Sequence, residues 1–365
     1  MKKLFFILFF LSILIPQQVR AQSDDSQNYP GQIISIKEEK ELDIEGHKQL
    51  YQKIEIKLEN KKNIEVENGN VPVVHSIKYK VGEKVLVMRQ VNPDGQEVYF
   101  ITDFVRTDSL YWLFGLFLIL TIAVGRKSGI RSTLGMIFSF AVIFKIILPQ
   151  ILAGNNPILV IALSSLFVAP VSFYLAHGFN KKTHVAIIAT LMALLITAFL
   201  ANYFVNSARL TGYASEEAGF LQAQKQGSFD IKSLLIAGII IASLGILNDI
   251  TVSQASVVEQ IAKSAPNISF QDLFKNSMIV GQDHIASMVN TLVLVYAGSS
   301  LPLLLLFINN PHPPTEILNY EIISEEFVRT FLTSSALIMA VPLTNLLACI
   351  AFVRPDNTKT PSASK

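Results

Sequence analysis

The stretch SLLIAGIIIASLGILNDI, residues 233–250, decides the fold class of this chain. Its side chains are apolar or small over almost the whole length, and the only charged one is Asp249, next to the last position. An α-helix needs about 20 such residues to cross the hydrocarbon core of a bilayer. The stretch therefore predicts a transmembrane helix that carries one acid near its end.

Similar apolar runs flank this one and extend the prediction to a seven-helix transmembrane bundle over residues 108–353. The runs are residues 110–124, 133–152, 158–175, 185–205, 233–250, 285–308 and 327–353. Of the 365 residues, 51% are hydrophobic and 16% are charged, whereas soluble domains carry about 25% charged residues. This composition excludes a disordered chain and a coiled coil. The net charge of +2 gives no basic surface for nucleic acid, and one cysteine, Cys349, excludes a disulfide framework.

The chain begins with a segment typical of a secretory signal peptide, residues 1–21. Two lysines precede an apolar run, Pro16 ends the run, and Val19 and Ala21 supply the small residues of a cleavage site. Because the run is shorter than the ~20 residues of a span, cleavage is favoured over an uncleaved membrane anchor. In either case the chain that follows starts outside the cytoplasm.

Residues 28–107 hold most of the charged residues that precede the first predicted span, and they predict a small extracytoplasmic β domain. Alternating segments predict strands at residues 31–37, 52–58, 84–89 and 97–102. Pro93-Asp94-Gly95 predicts the turn between the last two. A small barrel of the OB or SH3 type hides strand edges, so an OB-like β-barrel is expected. The domain is either a ligand-binding cap or a structural lid on the helices.

Charges in the linkers predict the orientation of the spans. Starting outside, odd-numbered spans run inward, and the linkers that then face the cytoplasm hold Arg126, Lys127, Arg131, Lys181, Lys182, Lys263 and Lys275. The outer linkers after the second and sixth spans contain no lysine or arginine, whereas the one after the fourth holds Arg209 and Lys225. This asymmetry follows the positive-inside rule. We expect a multi-pass protein of the plasma membrane with its β domain outside. Its C-terminal tail, residues 354–365, is expected to be disordered in the cytoplasm.

The stretch between the fifth and sixth spans predicts a cytoplasmic helical hairpin over about residues 252–282. The fifth helix is expected to continue to Ser264 and to break at Pro266, and Ser269 and Asp272 have the spacing of an N-terminal cap. A second, short helix would then stop at Gly281. A re-entrant segment is the alternative, since irregular backbone is tolerated at membrane depth where protein buries it.

One face of the fifth span combines small residues with an acid. Gly238, Ala242, Gly245 and Asp249 recur at spacings of four, three and four, which places them on one side of a helix. Small faces let helices approach closely in lipid. We therefore expect this face to pack on a neighbouring helix and to shelter Asp249, with Asn248 beside it.

The sixth and seventh spans carry polar residues as well. Asp283, Asn290 and Thr291 share a helical face, and both acids lie near the inner ends of their spans, so the two polar faces are expected to meet. Thr344 lies close to a proline inside the seventh span, which frees a backbone carbonyl. Carbonyl, hydroxyl and amide oxygens suit a hard cation or a proton relay.

Each of these groups also has a simpler interpretation. Asp249 and Asp283 are near enough to span ends to reach the inner interface or to cap helices, and Asn290 suits a hydrogen bond between helices. The sequence contains no metal-ligand cluster, and neither H-E-x-x-H, G-x-S-x-G nor a P-loop. The segment VGQD at 280–283 lacks the G-x-G-D pattern of intramembrane aspartyl proteases. An enzyme is therefore not predicted.

Several segments together resemble the YibE/F-like membrane proteins of bacteria. They are GRKSGIRS at 125–132, LTG at 210–212, GILND at 245–249, GQD at 281–283, MVNTL at 288–292, YAGS at 296–299 and VPLT at 341–344. The resemblance covers most of residues 80–352. It implies a multi-pass membrane protein and directs attention to the fifth and sixth spans.

Two functions follow as hypotheses. The first is a transporter or permease for a small ion or solute, whose candidate binding residues are Asp249, Asn248, Asp283, Asn290, Thr291 and Thr344. The second is a non-transporting envelope protein whose β domain binds a partner or envelope component while the helices anchor it. Membrane lipid is an expected partner. A second copy of the chain or an envelope protein is a further candidate partner. Neither a cofactor nor nucleic acid is expected.

Overall fold

The computed structural model describes residues 27–44, 47–59, 62–72, 77–92, 94–224, 230–308 and 313–353. The predicted signal peptide, the C-terminal tail and Pro93 lie outside these residues. The chain divides into two compact units. We call residues 16–120 the sheet unit and the part that begins at residue 121 the helical unit.

The sheet unit is built on five antiparallel strands. They are β1 (Gln27–Ile44), β2 (His47–Leu58), β3 (Asn63–Asn68), β4 (Lys84–Val91) and β5 (Glu97–Phe104). The order in the sheet is β3-β2-β1-β4-β5. Ile33, Ile54 and Val85, which lie on three different strands, are buried in one core. This is expected for strands that turn one face inward. The four predicted strand segments are confirmed within β1, β2, β4 and β5.

The sheet curls so that its two edge strands approach each other. Lys62, just before β3, contacts Glu97 Oε2 at 2.9 Å and the Tyr99 hydroxyl at 3.0 Å, both on β5. The Tyr99 hydroxyl and Lys62 lower the pKa of Glu97 to about 2. Among the described strands no backbone ladder joins β3 to β5. The structure therefore shows a curled antiparallel sheet, and the expected OB-like barrel is not confirmed.

The helical unit and the segment leading into it are almost entirely α-helical. The helices are α1 (Thr107–Val142), α2 (Leu148–Leu152), α3 (Pro157–His177), α4 (Lys181–Ser207), α5 (Glu216–Gln224), α6 (Ile231–Ser264), α7 (Phe270–Ser299), α8 (Leu301–Ile308), α9 (Pro314–Ile317) and α10 (Glu321–Phe352). A short π-helical segment, Ile143–Ile147, joins α1 to α2. Within the described residues, six helical stretches are long and apolar enough to cross a membrane: Thr107–Leu152, α3, α4, α6, α7 and α10.

The first two predicted spans form a single kinked stretch, Thr107–Leu152. Its backbone leaves helical geometry at Arg126, where φ is 48° and ψ is −127°. Residues 121 and 129 would be about 12 Å apart along a straight helix. Instead, a Cβ added to Gly129 would lie 2.1 Å from the carbonyl oxygen of Thr121. The chain therefore bends back sharply at Arg126, but seven separate spans are not confirmed.

Helices α4, α6 and α10 pack against one another at the centre of the helical unit, and α3 and α7 pack on their outside. Ile236, Leu247 and Leu337 are buried in the largest core cluster. Buried polar side chains of protein interiors are usually hydrogen-bonded, and some in this core are paired between helices. For example, the Thr190 and Thr251 hydroxyls lie 2.9 Å apart between α4 and α6.

The predicted hairpin between the fifth and sixth spans is present in part. Helix α6 continues to Ser264, and the Ser269 hydroxyl accepts the Asp272 N–H at 3.1 Å to cap α7. The expected stop at Gly281 is wrong, because α7 runs through it to Ser299. Gly281 serves close packing instead, since a Cβ there would lie 2.5 Å from Val341 Cγ1 of α10.

Candidate functional site

A polar cleft of about 730 Å³ opens beside one face of α6. Positions three or four apart on that helix share a face, so Asp249, Ser253, Ser256 and Gln260 all line it. Helices α1, α3, α4 and α7 supply the remaining walls. The full lining is Ser132, His177, Lys182, Asn248, Asp249, Val252, Ser253, Ser256, Val257, Gln260, Ile261 and Val280.

The charges in this cleft are mixed in sign. Asp249 is exposed to it and lies near enough to His177, at the end of α3, for the two to interact electrostatically. Lys182, near the beginning of α4, also faces the cleft and lies 4.0 Å from Glu259 of α6. One acid beside two basic side chains gives the cleft polar walls without a strong net charge.

Asn248 contributes a neutral oxygen to the same place. Its Oδ1 atom is buried and has no hydrogen-bond partner among the described residues. A buried acceptor without a partner costs about 1–3 kcal/mol. A water molecule, an ion or a polar solute that reached this atom from the cleft would remove that cost.

The small-residue face of α6 is not covered by any of the described residues. Gly238 and Gly245 are exposed, Ala242 is half-buried, and no described atom lies within 4 Å of a Cβ built on either glycine. Asp249 is exposed to the cleft, and among the described residues no helix packs on this face to shelter it. The packing role of Gly238, Ala242 and Gly245 stays a prediction.

The predicted residues of α7 and α10 lie elsewhere. Asp283, Asn290 and Thr291 are exposed along α7, and Asp283 is not among the residues that line the cleft with Asp249. Thr344 is buried, and its hydroxyl donates to the Ala340 carbonyl at 2.6 Å. The structure thus brings Asp249 and Asn248 together in one cavity, and the roles of the other four residues stay predictions.

A buried polar junction lies directly behind the cleft, where α6, α7 and α10 meet. Gln254 and Asn345 are fully buried there, and a Cβ on Gly281 would lie 3.4 Å from Gln254 Oε1 and 3.5 Å from Asn345 Nδ2. Gln254 Nε2 lies 2.9 Å from His284 Nδ1, and Asn345 Nδ2 donates to Met278 Sδ at 3.2 Å. The chain neighbours Ser253 and Val280 line the cleft itself.

This junction offers two neutral oxygens for coordination. Gln254 Oε1 and Asn345 Oδ1 are both buried without hydrogen-bond partners among the described residues. Sequence reasoning missed Gln254 because it falls in the segment expected to leave the membrane as a hairpin. The sequence did contain a signal for it, because the Gln254 amide lies between Ser253 and Ser256 in a helix with no break before residue 264. Within the described residues, no three His, Cys, Asp or Glu side chains form a metal-binding group.

The family whose members are described as YibE/F-like protein matches residues 113–354. The chain belongs to the YibE/F-like family. The match runs from within α1 to the end of α10, so it includes every helix that lines the cleft or the junction. No curated protein and no solved structure gives a significant match. The family match and the apolar helices identify a membrane protein. Its function has to be inferred from the geometry of the helical unit.

Proposed function

We propose that this YibE/F-like protein moves a small ion or polar solute across the plasma membrane, and that the cleft at Asp249 is its binding site. The observation that carries the proposal is a polar cleft with an acid, set among helices apolar enough to cross a bilayer. Charged groups at membrane depth are costly unless they face protein or water. A polar cleft lined by several helices gives Asp249 such an environment.

The chemistry of the cleft favours a small polar cargo. Its volume of about 730 Å³ lies within the ~300–1,000 Å³ range of small-molecule sites. The Asp249 carboxylate, the unpartnered Asn248 oxygen and nearby serine hydroxyls are hard oxygen ligands. The amide oxygens of Gln254 and Asn345 extend this set of ligands into the protein interior.

The proposal includes an orientation. Arg126 marks a cytoplasmic turn, so the halves of the kinked stretch cross separately and the protein has seven spans. The sheet unit then lies outside, and the C-terminus lies in the cytoplasm. His177 and Lys182 flank the next cytoplasmic linker, so the Asp249 cleft opens inward. The distribution of lysine and arginine supports this arrangement.

The proposal is tested by flux through the purified chain in lipid vesicles, with a panel of ions and small solutes. Asp249→Asn keeps the size of the side chain and removes its charge, so we expect the flux seen with wild type to be abolished. Asp272→Asn is the matched control, because Asp272 is exposed in the first turn of α7 and does not line the cleft. Equal flux from folded Asp249→Asn and wild type would overturn the site.

A non-transporting envelope protein is the second proposal, and a feature of the sheet unit favours it. The ladder of β4 covers β1 only from Gln27 to Gln32, and that of β3 covers β2 only from Gln52 to Lys57. The β1–β2 hairpin therefore extends beyond its neighbouring strands and offers an arm for a protein partner. Deleting residues 28–105 should then eliminate function, while Asp249→Asn should have little effect.

A further inference from the structure

A second cluster of polar groups lies where the α4–α5 linker meets the beginning of α10. Glu321 Oε1 accepts hydrogen bonds from the Thr211 N–H, from the Thr211 hydroxyl at 2.7 Å and from the Gly212 N–H at 3.1 Å. The linker comes from the segment that resembles the family motif LTG, but nothing in its sequence connects it with Glu321. One carboxylate thus holds a loop that is more than 100 residues away in the chain.

The backbone of the linker is fixed at this point by close contacts. Gly212 has a φ of +83°, and a Cβ there would lie 2.8 Å from the Ile231 carbonyl oxygen of α6. Both conditions favour glycine. The N–H groups of the linker are therefore held in place when they reach the α10 carboxylates.

Glu325, one helical turn after Glu321, is the unusual member of the cluster. It is 8% exposed, and the backbone N–H groups of Gly212 and Ala214 are near enough to act on its carboxyl group. Its Oε1 atom is buried and has no partner among the described residues. The Glu321 carboxyl group, one helical turn away, acts on that of Glu325, but two ionised carboxylates have no donor to share.

The charges around Glu325 do not supply the missing donor. The charged groups that act on it are Glu321 and, one turn further along α10, Arg329. Arg329 Nε lies 3.9 Å from Glu326 Oε2. At the beginning of α6, Asp230 accepts the Ser233 N–H, and Lys232 binds Asn206. Two carboxylates one helical turn apart, with one of them buried, disfavour double ionisation.

We propose that Glu321 and Glu325 form a proton-binding site in which Glu325 carries the proton on Oε1 and donates it to the Glu321 carboxylate. This proton satisfies the buried Glu325 Oε1 atom, which has no partner among the described residues. Glu321 remains the ionised member, because three donors already converge on its Oε1 atom. Releasing the proton changes the charge of the pair from −1 to −2 and places like charges beneath the linker. Proton binding is thereby coupled to the position of residues 211–214.

The test is infrared spectroscopy of the full chain in lipid nanodiscs, because a protonated carboxyl group has a C=O stretching band separate from that of a carboxylate. We expect one such band in wild type at pH 7, and its loss in Glu325→Gln. Glutamine supplies an N–H donor to Glu321, so the fold is expected to remain. Glu326→Gln is the matched control on the neighbouring position and should keep the band.

Two further outcomes keep the proposal open to refutation if the glutamine variant fails to fold. Glu325→Asp should keep a carboxylic acid band at a shifted frequency, and the wild-type band should disappear at alkaline pH. A folded wild-type protein without the band at pH 7, or the same band in Glu325→Gln, would overturn the proposal. None of these readouts depends on flux, so the result stands apart from the transport experiment.

Discussion

At the scale of single residues, Gly281 separates what the sequence can predict from what it cannot. A glycine after a short helical pattern is a common end of a helix, so the sequence favoured a stop. In the structure the missing side chain lets α7 approach Val341 of α10. Only the neighbouring helix distinguishes these two uses of glycine, and a single sequence does not show which helix that is.

We expect Gly281→Ala to destabilise the helical unit. The added methyl group would lie 2.5 Å from Val341 Cγ1, and overpacking of this kind typically costs about 1–3 kcal/mol. Gly245→Ala is the matched control, because no described atom lies within 4 Å of its added Cβ. Thermal unfolding in detergent measures both, and an equal midpoint for Gly281→Ala and wild type would contradict the packing.

Asp249 is a residue whose surroundings the sequence predicted in part. The periodic face of the fifth span predicted a sheltered acid, and the structure places Asp249 in a cleft with Asn248. The expected shelter from a packed helix is not seen among the described residues, since no described atom lies within 4 Å of a Cβ built on Gly238 or Gly245. The spacing of residues defines a face of a helix, whereas the walls opposite that face come from distant parts of the chain.

At the scale of elements, the apolar runs of the sequence predicted where the helices lie. They predicted the boundaries between helices less well. The runs at 158–175 and 185–205 lie within α3 and α4. The runs at 110–124 and 133–152 fall on one kinked stretch, because residues 125–132 hold basic side chains but no proline to end the helix. The bend depends on the backbone of Arg126 and on the contact between Gly129 and Thr121.

The kinked stretch allows a direct test of the number of spans. As one straight helix, its 46 residues would be about 69 Å long, more than twice the ~30 Å hydrocarbon core. If each half crosses separately, a membrane-impermeant maleimide should label Asn155→Cys in intact cells. It should label Ser128→Cys only after permeabilisation.

The background for this experiment is low, because Cys349 is the only cysteine of the chain and is buried. Protection of Asn155→Cys in intact cells would contradict the seven-span arrangement. Equal labelling of both positions from outside would reject the cytoplasmic turn at Arg126.

At the scale of the whole molecule, composition alone predicted a polytopic membrane protein, and the family match supports that result. The strand segments of the sheet unit were also predictable, because alternation of buried and exposed positions is a local signal. Closure of the sheet into a barrel was not predictable, since it depends on whether β3 and β5 pair across the curled sheet. The position of Asp283 outside the cleft likewise depends on the rotation of α7 against α6, which hydrophobic pattern does not determine.

The central claim is that water reaches Asp249 within the membrane-embedded helices. The most direct measurement is labelling of Asp249→Cys by a membrane-impermeant maleimide in inside-out vesicles. Leu195→Cys, a residue of α4 that is 74% exposed in the chain but lies outside the cleft, is the lipid-facing control. The account predicts that Asp249→Cys is labelled and Leu195→Cys is not. Protection of Asp249→Cys in a folded protein would contradict it.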